Sequence, residues 1–406
     1  MKKTFIIFVM TLLPFSICAS DFEYNGFYYT VLSYSDKTLE LSANINSSGD
    51  EVVIPSIITY GNIDFTVISI GKYAFTGCDY KSIIIPTSIT AINEFAFSGS
   101  GIETFSWPSN IETMNCGMFY DCRNLKTVVL PPTLKKIYGN NSFGYSGVDK
   151  KGAFEKCSSL EDIILPESLE VLDGSTFYGC ESLKTINIPS KIKQIHEGTF
   201  CSTGLESITI PKQIEYIYSQ AFDFCPYLKE VVIDKESELK SIGYWAFRQS
   251  SFTHIDLPVD LEAIYKFERL ESEQNALPRT LKSITLPNNK LTIINGDYRV
   301  HNLEKIYSRN MNPEPISIDD FNINTVLFGT LYVPIGTISK YKETEGWKDF
   351  SNIQECDGNT NIDNISLQDN KIKSVYSING AKRKVRKKGL NIIQNSDGSV
   401  KKVVVK

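Results

Sequence analysis

The sequence predicts a mainly β repeat solenoid, in which short strands stack along one coil. A phenylalanine returns with gaps of 22, 22, 35, 23, 23, 22 and 25 residues, at Phe75, Phe97, Phe119, Phe154, Phe177, Phe200, Phe222 and Phe247. A proline that ends an apolar alternation keeps the same period, with Asp234 in one of its expected places. A period in the twenties is typical of a solenoid, because no unit buries its apolar face alone and neighbours stack to complete the core.

Residues 1–20 are predicted to be a signal peptide. Two lysines precede an apolar run from Phe5 to Ile17, and the small residues Ala19 and Ser20 follow, which is the composition of a secretory signal. A retained anchor is the weaker alternative, because the run is shorter than the roughly 20 residues that a spanning helix needs. Lipidation of Cys18 is left open, although lipoprotein signals usually place a smaller residue where Ile17 stands. We expect the mature protein to be secreted or to lie at the outer-membrane surface.

Each unit combines two short apolar segments with the phenylalanine. In one unit Ile186 and Ile188 alternate with Thr185 and Asn187, which predicts a strand with the isoleucines inward. Pro189 then ends the strand, because proline has no N–H for a sheet ladder. A second apolar pair predicts another extended segment, and we expect the phenylalanine to fill the interior as a repeated plug.

The unit L-x-x-I-x-I-P-x-x-I-x-x-I-x-x-x-A-F-x-x-C resembles the leucine-rich repeat of BspA-like bacterial surface proteins, of the Treponema pallidum type. It is carried in Tyr73-Ala74-Phe75 to Cys78 and again in Gln220-Ala221-Phe222 to Cys225. The resemblance implies a right-handed leucine-rich-repeat coil of about 22–23 residues per turn, with parallel sheets of short strands. It also implies a cell-surface adhesin that binds proteins.

The predicted organisation follows the chain from end to end. After the signal peptide we expect an N-terminal β cap at 21–65, repeats at 66–310, a C-terminal capping segment at 311–356, a linker at 357–370 and a basic module at 371–406. Distinct ends are what stacking requires, because a terminal unit has one face without a neighbour. The insertions at 139–152 and 265–279 are predicted to be loops, which either carry recognition or are tolerated length variation.

The cysteines follow the repeat rather than a metal or disulfide pattern. Five of them occupy the position three residues after the phenylalanine, where other units carry Ser100, Thr203 and Ser250. A position that accepts serine or threonine does not hold a metal ligand, so we expect small side chains packed inside the coil. A disulfide between Cys116 and Cys122, or between Cys201 and a cysteine of a neighbouring turn of the coil (a rung), stays open for an exported protein.

No catalytic, cofactor or metal motif stands out. His196, His254 and His301 lie far apart and are expected at solvent-facing positions. The sequence lacks the G-x-S-x-G, glycine-loop and EF-hand patterns. We therefore expect neither an enzyme nor a bound cofactor, and paired carboxylates of a carbohydrate-active enzyme remain the catalytic alternative.

The outward positions of the strands before each proline form the candidate binding face. They are poor in charge and rich in Ser, Thr and β-branched residues, which suit contact with a protein surface, although such residues also favour strands for their own sake. The candidate residues are Ile84, Ser106, Thr127, Val129, Asp162, Ile164, Thr185, Asn187, Ser207, Thr209, Glu230, Val232, His254 and Asp256.

Charge separates the repeats from the tail. Residues 21–370 hold 29 Lys and Arg against 46 Asp and Glu, a formal charge of −17, which excludes nucleic acid as a partner of this region. Residues 371–406 hold 11 basic residues and one acid, which suits an anionic surface such as lipopolysaccharide or the acidic repeats themselves.

The tail also carries a β pattern with turns at Asn379-Gly380 and Asp397-Gly398. This pattern resembles the C-terminal sorting module of secreted Bacteroidetes proteins, which implies delivery across the outer membrane by the type IX route or retention at the surface. Taken together, the sequence predicts an exported, adhesin-like scaffold that binds proteins of a host or of other bacteria. A carbohydrate-binding protein and a self-assembling structural surface component are the alternatives.

Overall fold

The computed structural model describes residues 20–44, 49–108, 110–141, 151–264, 276–288, 302–318 and 321–356, together with the backbone of strands at 292–293, 372–377, 382–383, 389–395 and 400–405. Residues 1–19, the loop at 142–150, most of the insertion at 265–279, His301 and the linker lie outside the described residues. In the described part, short parallel strands stack along a β solenoid, as the sequence predicts.

The N-terminal segment is a sheet of longer strands that becomes the first turn of the coil. Its strands are β1 (Phe22–Tyr24), β2 (Phe27–Ser33), β3 (Thr38–Asn44), β4 (Glu51–Val53), β5 (Ile57–Tyr60) and β6 (Ile63–Ile70). Strands β1, β2 and β3 pair antiparallel, β6 pairs parallel with β3, and β4 joins the sheet of the repeats. Burial of Tyr29, Leu39 and Val67, all 0% exposed, closes the end of the coil.

Most turns of the repeats contribute two short strands, and the turn that contains Asn187 contributes one. In chain order these are β7 (Ser82–Ile84), β8 (Ala91–Ile92), β9 (Thr104–Ser106), β10 (Thr113–Met114), β11 (Thr127–Val129), β12 (Lys136–Ile137), β13 (Asp162–Ile163), β14 (Val171–Leu172), β15 (Gln194–Ile195), β16 (Ser207–Ile210), β17 (Tyr216–Ile217), β18 (Glu230–Ile233), β19 (Ser241–Ile242), β20 (His254–Asp256), β21 (Ala263–Ile264), β22 (Ser283–Thr285), β23 (Thr292–Ile293) and β24 (Lys305–Tyr307).

These strands form two faces of the coil. The front sheet contains the strands that precede each proline position, from β4 and β7 through β24, and the back sheet contains the two-residue strands from β8 through β23. Every pair within the repeats is parallel, for example Val128 beside Phe105 and Ile163. Because successive side chains of a strand point to opposite faces, each strand buries one set of residues and exposes the other.

The recurrent phenylalanines form one continuous stack through the interior. All eight are 0–1% exposed, and adjacent rings lie 5.1–5.7 Å apart at interplanar angles of 1–23°. The backbone N–H of each plug donates to a carbonyl of the next rung, as Phe177 does to Thr199 at 2.9 Å. The predicted plug is therefore confirmed, and it joins neighbouring rungs by both ring contact and hydrogen bond.

The backbone is left-handed two residues after every plug, and two residues before every plug except Phe154. The position two residues before the plug is left-handed at Gly117 and Gly198, with φ of 61° and 63°. Ser175 and Trp245 adopt the same conformation with φ of 56° and 57°, so the conformation does not demand glycine everywhere. A Cβ on Gly117 would lie 2.3 Å from the ring of Phe95, so glycine is required there by the aromatic neighbour as well.

The capping segment continues the front sheet instead of ending it. Helix α1 (Ile323–Phe328) leads into β25 (Thr330–Pro334), and helix α2 (Ile338–Glu343) leads to β26 (Ile353–Cys356). Strands β24, β25 and β26 pair in parallel, so the sheet extends beyond the point where the repeat motif decays. Tyr341, Trp347 and Phe350 pack against this end of the core, at 0%, 7% and 4% exposed.

The C-terminal segment forms a separate set of strands. These are β27 (Ile372–Ser377), β28 (Lys382–Arg383), β29 (Gly389–Asn395) and β30 (Val400–Val405). They make one antiparallel sheet in the order β28-β27-β29-β30.

Candidate functional site

The central part of the front sheet exposes the predicted apolar row. Val129 and Ile164 are 76% and 70% exposed, and Ile84 and Val232 are 45% and 44% exposed. Their strand neighbours Val128 and Ile163 are only 5% and 3% exposed. The remaining predicted residues of this face, Ser106, Thr127, Asp162, Thr185, Ser207, Thr209 and Glu230, are exposed or half-buried. An exposed strip of apolar side chains centred on Val129 and Ile164, the apolar strip, thus lies on the parallel strands of this face, and Asp162 and Glu230 are charged residues of the neighbouring row.

One predicted strand is absent, and Asn187 explains why. Residues 185–189 form no strand, so the prediction of a strand there is wrong and the front sheet divides between β13 and β16. The Asn187 amide accepts from Leu165 N–H at 2.9 Å and donates to Leu165 C=O at 2.7 Å. The side chain thereby takes over hydrogen bonds of the kind that a backbone ladder makes, because the amide group matches the peptide unit. Asn187 is structural in this position and is less free to bind a ligand than its exposure suggests.

Alternating charges line both faces beside the strands. In the front row the residues are Lys81, Glu103, Lys126, Glu161, Lys184, Glu206 and Lys229, and in the back row they are Glu112, Lys135, Glu170, Lys193, Glu215, Lys240 and Glu262. Ion pairs between rungs include Lys135 with Glu112 at 2.9 Å and Lys240 with Glu215 at 2.7 Å. Because opposite charges meet between rungs, these rows add little net electrostatic field at the apolar strip. The ion pairs also contribute little to the free energy of unfolding, because they are exposed to solvent.

The sheet face changes character toward its C-terminal end, where a cleft of about 1000 Å³ opens. Its walls are the end of β18 with the loop Asp234–Glu236, the turn Asp256–Val259, and the residues Tyr307–Arg309. Asp234 stands where other units have the strand-ending proline, and β18 runs directly into the loop. Strands β18 and β20 lie next to each other but belong to different sheets. The cleft therefore lies at a break in the backbone ladder.

A hydrogen-bonded cluster of polar side chains lies beside this cleft. His254 Nδ1 lies 2.8 Å from Ser283 Oγ, and His254 Nε2 lies 3.3 Å from Asp256 Oδ1. Thr285 donates to the Asp256 carboxylate, and Thr285 is buried although it occupies an outward position of its strand. His254 Nε2 is buried and makes no hydrogen bond within the described part of the chain, so its 3.3 Å contact with Asp256 is an electrostatic one.

Charge at the cluster is balanced by Arg309. Burial alone would raise the pKa of Asp256, but the electrostatic contact with His254, the hydrogen bond from Thr285 and the charge of Arg309 outweigh it, so this pKa lies below its usual range. Arg309 Nη2 lies 3.7 Å from Asp256 Oδ1, and Arg309 Nη1 donates to the carbonyl of Leu257 at 2.9 Å. Asp256 is therefore a stable carboxylate at the mouth of the cleft.

The histidines do not lie where the sequence predicts. His254 is 22% exposed, and His196 is half-buried with its ring stacked on Tyr218 at 5.4 Å. Burial lowers the pKa of His196 despite the opposing charge of Asp173. The prediction of solvent-facing histidines is wrong for these two residues, because each packs against the same position of the next rung; His301 is outside the described residues.

The position three residues after each plug has a role that the sequence does not show. The Sγ atoms of Cys122, Cys157, Cys180 and Cys225 lie 3.0–3.2 Å from the backbone carbonyl of an earlier plug, and Ser250 Oγ makes the same contact at 3.4 Å. The position needs a small donor inside the coil, which explains why cysteine, serine and threonine exchange there. Alignment of the units shows the exchange of these residue types, but the carbonyl that accepts from them is seen only in the structure.

The described cysteines are free thiols, and most are buried. Burial raises the pKa of Cys122 and Cys201 to about 12 and that of Cys225 to about 11, so these groups stay protonated at physiological pH. Within the described ranges, no three His, Cys, Asp or Glu side chains meet as a metal site, and no helix is long and apolar enough to cross a membrane.

A buried ion pair marks the last plugged rungs. Asp223 accepts two hydrogen bonds from the Arg248 guanidinium, at 3.0 Å from Nε and 2.6 Å from Nη2. The guanidinium lies 4.1 Å from the ring centre of Trp245 and 4.9 Å from that of Phe224. Burial raises the pKa of Asp223 even though Arg248 opposes the shift. The pair ties two rungs together on the back of the coil.

Comparison with known proteins agrees with this architecture. The model of the BspA type leucine-rich repeat region matches in six copies over residues 55–151 and 150–274, which is more than half of the chain. A solved leucine-rich repeat protein from Bacteroides ovatus is 25% identical with a TM-score of 0.59, over 83% of this chain and 77% of that one. The Treponema pallidum leucine-rich repeat protein is 21% identical with a TM-score of 0.39, over 55% and 84% of the two chains. No curated protein matches the chain significantly.

Proposed function

Because the chain belongs to the BspA-type leucine-rich repeat family, we propose that it is an exported, adhesin-like scaffold at the cell surface or in the medium, which binds proteins of a host or of other bacteria. The observation that carries this proposal is the exposed apolar strip around Val129 and Ile164. Exposed β-branched residues on a stiff sheet lose little conformational freedom on binding, and apolar surface gains free energy when a partner covers it. The insertions at 139–152 and 265–279, which the sequence predicts to be loops, are proposed to take part in the same recognition.

A binding screen tests this function. The mature chain, residues 21–406, is presented to immobilised extracellular-matrix proteins, mucins and bacterial surface glycoproteins, beside a variant carrying Val129→Asp and Ile164→Asp. The matched control carries Phe328→Asp and Ile335→Asp, which add the same two charges on side chains that are 79% and 63% exposed outside the repeats. We expect saturable binding to a protein that the double variant loses and the control keeps. Binding retained by the double variant, or lost equally in the control, contradicts the proposal.

The C-terminal sheet supports a second part of the proposal, that residues 371–406 sort the protein to the surface. Its support is the antiparallel pairing of β27 with β28 and β29, and of β29 with β30, together with the basic composition of this segment. Deleting 371–406 in a bacterium with a type IX system should leave the protein in the periplasm. If the truncated chain still reaches the cell surface, residues 371–406 do not sort the protein.

A further inference from the structure

The cleft beside Asp234 has the form of a built small-molecule site. Three segments that are distant in sequence line it: Asp234–Glu236, Asp256–Val259 and Tyr307–Arg309. Its volume of about 1000 Å³ lies at the upper end of the range for ligand-binding cavities, roughly 300 to 1000 Å³. Such a volume exceeds what a metal ion or a single sugar ring requires, and it suits an oligomeric ligand.

The charges of the cleft are compensated within the protein. Asp256 lies 3.7 Å from Arg309, and Glu236 lies 3.4 Å from Lys212. Asp234 and Lys235, next to each other on the loop, add one charge of each sign. A ligand with a strong net charge would meet like charge as well as opposite charge in this cleft, so electrostatics favour a neutral ligand.

Hydrogen-bonding groups alternate with aliphatic surface around the cleft. Arg309 offers five N–H donors in a fixed fork, of which one is used on the Leu257 carbonyl, and Asp256 supplies a carboxylate acceptor. Burial is the main cause that raises the pKa of Tyr307 to about 12, so this hydroxyl stays a donor at physiological pH. The aliphatic side of the lining consists of Val232, Leu257, Pro258 and Val259.

We propose that this cleft binds a neutral oligosaccharide. Sugar hydroxyls both donate and accept, so one ligand can engage the Arg309 fork and the Asp256 carboxylate together. The C–H faces of the sugar rings would pack on Val232 and Val259, which are 44% and 37% exposed. This site shares Val232 and Asp256 with the predicted binding face, but it does not include Val129 or Ile164, the centre of the strip proposed to bind proteins.

The test uses the mature chain and a panel of immobilised neutral tetrasaccharides: an α-glucan, a β-glucan, an α-mannan and an N-acetyllactosamine chain. We expect at least one of them to bind, with an affinity that is unchanged between about 0.05 and 0.5 M NaCl, because screening acts only on charged ligands. Arg309→Gln and Asp256→Asn should each weaken binding about tenfold to a hundredfold, the effect expected for hydrogen bonds to charged groups.

Two further variants separate this proposal from misfolding and from the protein-binding strip. Val259→Trp fills the cleft from a residue that is 37% exposed, and it should abolish binding at an unchanged melting temperature. Val129→Asp with Ile164→Asp should leave sugar binding intact. The proposal is overturned if no tetrasaccharide binds at millimolar concentration, if binding survives Val259→Trp, or if the cleft variants abolish binding of a charged peptide whose affinity falls with salt.

Discussion

The rungs from Phe75 to Phe247 and the rungs from β20 to β26 both carry parallel strands on the front face of the coil, but they differ in the side chains that fill the interior and cover this face. In the first region every turn repeats the same plug, and the ring stack ends at Phe247, which meets Phe252 edge-on at 5.6 Å. In the second region the face carries His254, Asp256 and Arg309, and the core is closed by Tyr341 and the aromatic residues around it. The repeated residues thus stabilise the stack of rungs, and the cleft forms where the sequence departs from the repeat.

The difference also appears on the outer surface. On the plugged rungs the row that contains Val129 and Ile164 is uncharged and exposed, with Val129 at 76%. On the later rungs the same row passes from Asp256 to Thr285 and then to Tyr307, which stacks on Tyr332 at 4.8 Å. The buried positions therefore tolerate little variation while the outward row can change its chemistry from rung to rung.

The largest effect is expected where the stack is most regular. Replacing Phe177 with Ala removes a ring that contacts Phe154 at 5.6 Å and Phe200 at 5.7 Å, and it should lower the free energy of unfolding by about 3–5 kcal/mol. Urea denaturation measures this change. The control Phe328→Ala, at 79% exposure, should stay within about 0.5 kcal/mol of the wild type; similar losses in both variants would show that the stack is not the source of stability.

The next effect concerns the ion pair at the end of the plugged rungs. Arg248→Ala leaves the Asp223 carboxylate, 1% exposed, without its partner and should cost about 3 kcal/mol at pH 7. Burial has already raised the pKa of Asp223, so the folded state favours the neutral acid, and the stability tied to this group is lost as pH rises through its folded pKa.

The penalty of Arg248→Ala should therefore shrink as pH is lowered from 7 toward 4, because protonation removes the unpaired charge. Unfolding curves of the variant and the wild type at both pH values test this. A penalty that is the same at pH 4 and pH 7 would mean that lost packing on Trp245 and Phe224, rather than the charge, dominates.

A smaller effect is expected at the donor position behind each plug. Cys180→Ala removes the group that contacts the Phe154 carbonyl at 3.2 Å, whereas Cys180→Ser keeps a donor there, as Ser250 does in its own unit. We expect the alanine variant to be less stable than the serine variant by about 1 kcal/mol. Thermal melts of both proteins decide the matter, and a more stable alanine variant would mean that the position requires only small size.

The smallest effect is expected at the alternating charges. Lys126→Glu places like charges beside Glu103, whose carboxylate lies 3.8 Å from Lys126, and should destabilise the protein by no more than about 1 kcal/mol, since both groups are exposed. The loss should fade in about 1 M salt. Lys126→Gln is the matched control, and a loss that persists in salt would point to packing of the side-chain stem instead.

Much of this architecture follows from spacing alone. The phenylalanine and proline periods predict the rungs, the plug and the inward residues, because stacking forces every unit to bury the same positions. Three other features depend on contacts between residues that are 22–29 positions apart in the sequence. They are the hydrogen bonds of the Asn187 amide, the contact of His254 with Ser283 and the donor role of Cys180. They become visible only when rungs are aligned in register, and the charge rows could have been found in that way.

The same limit applies to the candidate site. Sequence reasoning identifies the outward row of the front sheet, since alternation separates Val129 from Val128. It does not identify the cleft, because Asp234 in place of a proline gives no sign that residues 256–259 and 307–309 will face it. Nor does it locate Arg309, which lies beyond the last clear repeat.

The central claim is that inward residues of the front sheet stabilise the coil and outward residues are free for binding. Val128 and Val129 offer the most direct measurement, because they are neighbours in β11 with 5% and 76% exposure. We predict that Val128→Asp, which buries an unpaired carboxylate, lowers the free energy of unfolding by several kcal/mol, while Val129→Asp leaves it within about 0.5 kcal/mol. Equal destabilisation by the two substitutions in urea denaturation would contradict this division of the sheet.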